Sequence, residues 1–388
     1  MSLPNTSAAL SELACDIFCA VVDNFGDIGV CWRLARQLHA EHGWRVRVFV
    51  DNLNVFHALC PEVDATLARQ EAAGVVIEHW HAPMRAGDTL EIADVVIEAF
   101  ACEIPHAYIT AIARRERKPV WINLEYLSGE DWVADFHMRP SLHPRYLLEK
   151  TFFLPGLGAG TGGVIKESDL DARRARFDAN AWWRERVGIA RPARAKTVVS
   201  LFAYENPAVD ALLAQWRNGG APVVLLVPEG RISDAVARFF GLPKFAASAS
   251  AHAGALEAHA LGFVAQPRFD ELLWAADINF VRGEDSFVRA QWTAKPFVWH
   301  IYPQADDAHV PKLDAALAHY TAGLAPAARD AMTRFWHAWN GHGTPDWVAF
   351  WSHRQELEAR AAHWATELAR IGDLAGNLVS HATTRMSR

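Results

Sequence analysis

The sequence predicts an α/β protein made of two Rossmann-like domains that face each other across a cleft. Three observations point there. Short apolar, β-branched runs alternate with helix-periodic segments from Cys15 to Leu124. The alternation lapses over a glycine-rich stretch, then restarts at Thr197 and runs to Ile301. A chain of 388 residues is long enough for two cores. Strands that alternate with helices build parallel sheets through βαβ crossovers.

In order, Cys15 to Val22 reads as a buried strand. The helix after it has Val30, Leu34 and Leu38 on one face and Arg33, Arg36 and Gln37 elsewhere. Arg45 to Asp51 alternates Val46, Val48 and Val50; Val75 to Trp80 and Asp94 to Phe100 are further strands. A helix is expected over Pro105 to Arg115, with proline in its first turn, and a strand over Lys118 to Leu124. Pro155 to Gly163 holds five glycines; it lacks the Gly-Lys-Ser/Thr ending of a phosphate loop and reads as a linker or mobile loop. The second series is strand Thr197 to Tyr204, helix Pro207 to Trp216, strand Val223 to Val227, strand Ala260 to Val264, helix Phe269 to Ala276, strand Ile278 to Val281 and strand Phe297 to Ile301. From Ala325 the tail is helical almost to its end, apart from Asn340 to Pro345. The domains expected are 1–165, 166–360 and a final helix, 361–388, that packs back on the first.

Hydrophobic residues make up 51% of the chain and charged residues 21%, a globular balance. A net charge of −7 weighs against direct nucleic-acid binding. No apolar run reaches the roughly 20 residues of a membrane span, and Met1 to Glu12 has no secretory pattern, so a cytoplasmic protein is expected. Five cysteines without Cys-x-x-Cys spacing read as small core residues. His79 and His81 share a strand face, but no third ligand of convincing spacing follows. Trp336 and Trp339, three apart on a helix, read as core.

Two connections carry the chemistry. Asp23 to Val30 puts two carboxylates and two glycines between the first strand and helix, where α/β proteins place ligands. Its Gly26-x-x-Gly29 spacing is not the dinucleotide fingerprint. Arg282 to Trp292 occupies the matching position in the second half, with Asp285 or Ser286 as the expected N-cap. A helix N-terminus there suits a diphosphate, and Arg282 adds a cation. Phe263 at a strand end is placed to stack on a base, with Gln266 in the loop beyond it; Glu284 or Asp285 can accept from sugar hydroxyls.

Three strings then resemble the bacterial elongation factor P arginine rhamnosyltransferases: Asp-Asn-Phe-Gly-Asp-Ile-Gly-Val-Cys-Trp-Arg-Leu at 23–34, Asn-Leu-Glu-Tyr-Leu-Ser at 123–128, and Asn-Phe-Val-Arg-Gly-Glu-Asp-Ser-Phe-Val-Arg-Ala-Gln-Trp at 279–292. The resemblance spans essentially the whole chain. It implies a two-domain glycosyltransferase B fold and inverting transfer of rhamnose from dTDP-β-L-rhamnose to one arginine of elongation factor P, which helps that factor relieve stalling at proline runs. No cofactor beyond this co-substrate is expected, and no metal, since helix N–H groups at Ser286 and Phe287 can stabilise the leaving diphosphate. Carried onto this sequence, the resemblance makes Asp23 the catalytic carboxylate and Asp27 its partner, in an acceptor loop with Asn24, Phe25, Gly26 and Gly29. It sets Phe202, Tyr204, Phe263 and Gln266 around the nucleotide, and Arg282, Glu284, Asp285 and Ser286 around ribose, diphosphate and the reacting sugar; Glu284 is assigned to the sugar hydroxyls or the incoming cation. Other readings are a nucleotide-sugar transferase or epimerase acting on a small molecule, and a non-enzymatic protein that docks a translation factor.

Overall fold

The structure, a computed structural model, describes residues 13–22, 25–80 and 90–387. The chain forms two compact units, one of Met1–Ser168 with Leu368–Arg388, the other of Asp169–Glu367.

The first unit is built on an eight-stranded sheet. Its strands are β1 (Ala14–Cys19), β2 (Arg45–Val50), β3 (Arg69–Ala72), β4 (Val75–His79), β5 (Val95–Ala99), β6 (Val120–Leu124), β7 (Pro140–Leu142) and β8 (Glu149–Phe153), in spatial order β3-β4-β2-β1-β5-β6-β8-β7. The six inner strands pair in parallel; β3 and β7 add antiparallel edges. The helices are α1 (Phe25–His42), α2 (Leu53–Leu59), α3 (His106–Arg114) and α4 (Trp132–Phe136). Phe18, Phe49, Val96, Tyr108 and Trp121 form a buried cluster, with Phe18 stacked on Phe49 at 4.5 Å. All five cysteines are buried thiols. Cys19 shares a hydrogen bond with Cys31, which together with burial holds its pKa well above that of an ordinary thiol, so it stays protonated.

The second unit carries a six-stranded sheet. Its strands are β9 (Thr197–Leu201), β10 (Val223–Pro228), β11 (Ser250–Ala253), β12 (Leu256–Leu261), β13 (Ile278–Arg282) and β14 (Phe297–His300), ordered β11-β12-β10-β9-β13-β14. Only β11 is antiparallel. Its helices are α5 (Leu170–Arg176), α6 (Ala179–Arg186), α7 (Val209–Asn218), α8 (Ser233–Phe239), α9 (Phe269–Ala275), α10 (Asp285–Trp292), α11 (Val310–Thr321), α12 (Pro326–Trp339) and α13 (Trp347–Trp351). Trp336 and Trp339 are fully buried, and Trp339 packs edge-on against Phe280. Helix α14 (Arg354–Ala369) carries the chain back to the first unit, where α15 (Leu374–Met386) packs on α1.

The α/β class read from the sequence is the class found, with several local differences. Strand β1 stops at Cys19 because the chain turns there: Val21 N–H donates to Asp51 Oδ1 (2.9 Å), Val22 N–H donates to Asp27 Oδ2 (2.7 Å), and Val22 is exposed. Helix α1 starts at Phe25, so Gly26 and Gly29 lie in helical backbone rather than in a positive-φ turn. Arg33 and Gln37 are not on a solvent face. Arg33 makes a two-pronged ion pair with Glu167 (2.8 Å each), and Gln37 Nε2 donates to the Lys166 carbonyl (2.8 Å). The segment before the domain junction lies over that side of α1, and helical periodicity does not register a polar face covered by chain 130 residues away.

The glycine-rich stretch is an ordered turn of the first unit. Gly162 N–H donates to Leu154 O (2.7 Å), Gly156 N–H to Gly163 O (3.2 Å), and Thr161 Oγ1 to Gly158 O (2.8 Å). Gly163, at φ +76°, has no room for a Cβ, which would stand 2.3 Å from the Gly372 carbonyl oxygen. The expected strand at Ala260 to Val264 lies upstream as β12, since its parallel register with β10 runs from Leu256 to Leu261. The tail breaks at two further places, at Ser352–His353 between α13 and α14 and at Arg370–Asp373 between α14 and α15.

Candidate active site

In the second unit, β9 and β13 are neighbours, and the residues just past their carboxyl ends meet. Phe202 and Tyr204 follow β9, and Arg282 ends β13. The Arg282 guanidinium lies over the Phe202 ring at 4.3 Å and the Tyr204 ring at 4.9 Å, and its Nη1 donates to the Ala203 carbonyl (3.3 Å). Each such cation–π contact contributes roughly 0.5–1 kcal/mol at an exposed site and more when desolvated. The two rings hold the cation at the sheet's carboxyl edge, where open α/β sheets bind ligands.

The turn into α10 is closed by its own side chains. Ser286 Oγ accepts from Arg282 N–H (2.9 Å) and donates to the Arg282 carbonyl. Gly283 takes φ +59°, a conformation the turn needs and L side chains resist. Its carbonyl accepts from Trp299 Nε1 (2.7 Å), and Trp299 stacks on Phe287 at 4.0 Å. The expected N-cap is corrected: Glu284 holds that position, with helical dihedrals and no side-chain cap bond, and Asp285 is the first helical residue. The Asp285 carboxylate turns inward, because Arg289 Nε (3.0 Å) and Gln266 Nε2 (3.2 Å) both donate to its Oδ2. Arg289 is buried and also donates from Nη1 to Asp270 Oδ1 (2.9 Å), while Arg173 reaches Asp270 Oδ2 (3.2 Å). Two guanidinium groups thus balance two carboxylates beneath the turn.

His300, at the end of β14, packs edge-on against Tyr204 (5.3 Å). Burial pushes its pKa down to about 3, and the nearby Arg282 and His309 charges add to the effect, so the ring is neutral. Phe263 lies in the loop between β12 and the 266–268 turn, with 43% of its surface exposed. Phe202, Tyr204, Gln266, Arg282, Asp285 and Ser286 therefore form a connected group, with Glu284 at its edge. Arg289, Asp270 and His300 support it and were not singled out from sequence; a residue of α10 one turn past Asp285 was the signal available for Arg289.

In the first unit, Asp23 and Asn24 lie outside the described residues. Asp27, in the first turn of α1, is buried at 1% exposure. Its Oδ2 accepts from Val22 N–H, and its Oδ1 accepts from the Tyr126 hydroxyl (2.9 Å). Tyr126 stacks on Phe100 at 4.3 Å. Toward the end of β5, Glu98 accepts from Trp121 Nε1 (3.1 Å) and pairs with Lys150 (3.1 Å). Burial raises the Glu98 pKa against the pull of that ammonium. His79 Nε2 lies 3.0 Å from the Asp51 carbonyl oxygen, and His81 is outside the described residues. Among the described residues, Asp307, His309 and His342 bring one potential ligand atom each within 4.8 Å of one another. Gln304 N–H donates to His309 Nδ1 (3.1 Å), so that nitrogen is already engaged.

Residues 15–383 match the family model described as elongation factor P (EF-P) rhamnosyltransferase EarP. The chain belongs to the EF-P rhamnosyltransferase family. It is 46% identical over 373 residues to a protein-arginine rhamnosyltransferase of Pseudomonas putida, covering 94% of this chain and 97% of that one. It is 44% identical over 369 residues to the protein of the same name from Pseudomonas aeruginosa, again covering 94% and 97%. A solved structure reported as "Structural basis for EarP-mediated arginine glycosylation of translation elongation factor EF-P" is similar with a TM-score of 0.66 at 33% identity, covering 96% of this chain and 99% of that one. At 12% identity and a TM-score of 0.50, the spinosyn forosaminyltransferase SpnP shares the fold alone. Members of the EF-P rhamnosyltransferase family are glycosyltransferases, and the two sheets described above are those of the glycosyltransferase B fold. Among the described residues, no helix is long and apolar enough to cross a membrane.

Proposed function

We propose that this chain is a protein-arginine rhamnosyltransferase that moves rhamnose from dTDP-β-L-rhamnose to an arginine of elongation factor P, with inversion, in the cytoplasm. The observation that carries the reading is the match to family members over 94% of the chain, which takes in both the Asp27 turn and the Arg282–Ser286 turn.

The nucleotide sugar belongs to the second unit. Phe202, Tyr204, Phe263 and Gln266 surround the thymidine; Asp285 and Ser286, in the first turn of α10, meet the ribose and diphosphate through their backbone, the Asp285 carboxylate being held inward by Arg289 and Gln266. The leaving diphosphate is stabilised by Arg282 and by the N–H groups at the start of α10, positive charge that needs no metal. Glu284 faces the sugar hydroxyls or the incoming cation, since a carboxylate turned toward a diphosphate would repel it.

The acceptor belongs to the first unit. A guanidinium keeps its proton to pH values above about 12 and is a poor nucleophile. Asp23, with Asp27 as its partner, grips it by charge-assisted hydrogen bonds. A carboxylate of ordinary basicity cannot remove the proton in advance, so the proton leaves late, as the bond from nitrogen to the anomeric carbon forms and the bond to the diphosphate breaks. Asn24, with Phe25, Gly26 and Gly29 at the start of α1, completes the acceptor segment. Asp23→Asn tests this division of labour. Transfer is expected to be abolished with calorimetric affinity for dTDP-rhamnose nearly intact; loss of donor binding would put Asp23 in the wrong half of the mechanism.

A further inference from the structure

We propose that Tyr126 is a positioning residue for the transfer, acting through Asp27; the inference rests on Asp27 being an acceptor-side carboxylate. Tyr126 stands two residues past β6, and its hydroxyl donates to Asp27 Oδ1 at 2.9 Å. The other oxygen accepts from Val22 N–H at 2.7 Å. One donor comes from the connection before α1 and the other from the connection after β6. Held at both oxygens, the carboxylate has its plane fixed, and so has the plane in which it can meet a guanidinium fork.

The placement of Tyr126 differs from that of a core tyrosine. Tyr108 is 1% exposed, with its hydroxyl on the buried Asp16. Tyr126 is 38% exposed, yet its hydroxyl points inward to a carboxylate that is 1% exposed. Its ring is clamped from the next connection along the sheet, lying on Phe100 at 4.3 Å with 14° between the planes. Phe100 and Ala101 both adopt left-handed backbone, at φ 57° and 52°, which residues with a Cβ avoid. Phe100 N–H donates to Leu124 O (2.7 Å), tying that strained turn to the end of β6. Strain of this kind persists where surrounding structure over-determines it, and it gathers at functional sites. The carboxyl ends of β1, β5 and β6 thereby converge on one carboxylate, the last two through one phenol.

Tyr126→Phe keeps the ring and its stack and removes only the hydroxyl. The expected result is a fall in kcat of about 10–100-fold, the scale of a misplaced catalytic group. Donor KM and Tm should stay close to wild type. Tyr126→Ala, which also removes the stack, should lose at least as much kcat and lower Tm as well. A Tyr126→Phe enzyme within about twofold of wild-type kcat would overturn the proposal, as would a kcat loss matched by lost donor affinity and lowered Tm. Asp27→Asn in the same assay separates the premise from the inference. Full transfer by that variant removes the reading of Asp27 itself, whereas its inactivity beside an active Tyr126→Phe enzyme removes only the role of Tyr126.

Discussion

His300 makes the stability of the second unit depend on pH in a way that can be calculated. Its folded pKa is about 3, against roughly 6.5 for an unfolded histidine. The folded ring is therefore neutral at pH values where the unfolded ring has already taken a proton, and acid favours unfolding. The contribution is complete above pH ~6.5, and it is lost progressively as pH falls from there toward the folded value. Integrated from pH 7 to pH 5, the loss is about 2 kcal/mol. The cause is visible in the structure: the ring is buried against Tyr204 and Trp339, beside the Arg282 guanidinium, and its Nδ1 has no hydrogen-bond partner among the described residues. A second cation there would face Arg282 without a counter-charge. Urea unfolding of wild type and His300→Asn at pH 7 and pH 5 isolates the effect, because other titrating groups cancel in the difference. The variant should lose about 2 kcal/mol less than wild type over that interval. Equal losses in the two proteins would refute the assignment of a neutral, buried His300.

Three further outcomes are expected. Arg289→Met removes the guanidinium that bridges the Asp285 and Asp270 carboxylates. It should cost about 3 kcal/mol, the lower end for breaking a buried pair, and weaken donor binding; calorimetry and thermal melts check this, and adding Asp270→Asn should recover part of the loss. Arg282→Gln removes the cation held between Phe202 and Tyr204 and should reduce transfer by roughly 100-fold, a typical loss for one group stabilising transition-state charge, as read by initial rates at saturating acceptor. Dialysis against EDTA should leave transfer rates unchanged, and a rate restored only by added divalent cation would contradict a leaving group stabilised by α10 and Arg282.

Much of the fold could be read from the chain because parallel strands buried on both faces, such as Val223–Pro228, are continuous apolar segments, or nearly so, as at Val95–Ala99 where Glu98 alone interrupts the run. The edge strands β3, β7 and β11 were missed, since Arg69–Ala72, Pro140–Leu142 and Ser250–Ala253 carry polar or small residues and are set by hairpin pairing; the inner strand β8 was missed too, since Glu149–Phe153 opens on Glu149 and Lys150. The burial of Arg33 and Gln37 depends on chain around residue 167, which no local window includes. The candidate site divides in the same way. Arg282, Asp285 and Ser286 stand out because they sit where a strand gives way to a helix. Arg289, Asp270 and Tyr126 act through partners between 4 and 99 positions away. Asp285 illustrates the limit: its place at the start of α10 was legible, but its inward-turned carboxylate was not.

The central claim is transfer of one sugar from dTDP-rhamnose to one arginine of a protein acceptor. Intact-mass and fragmentation analysis of elongation factor P, incubated with this enzyme and dTDP-rhamnose, tests it most directly. The account predicts the added mass of a single deoxyhexosyl residue, localised to one arginine side chain and absent with the Asp23→Asn enzyme. An acceptor of unchanged mass, or donor turnover that proceeds equally well without any protein acceptor, would contradict it.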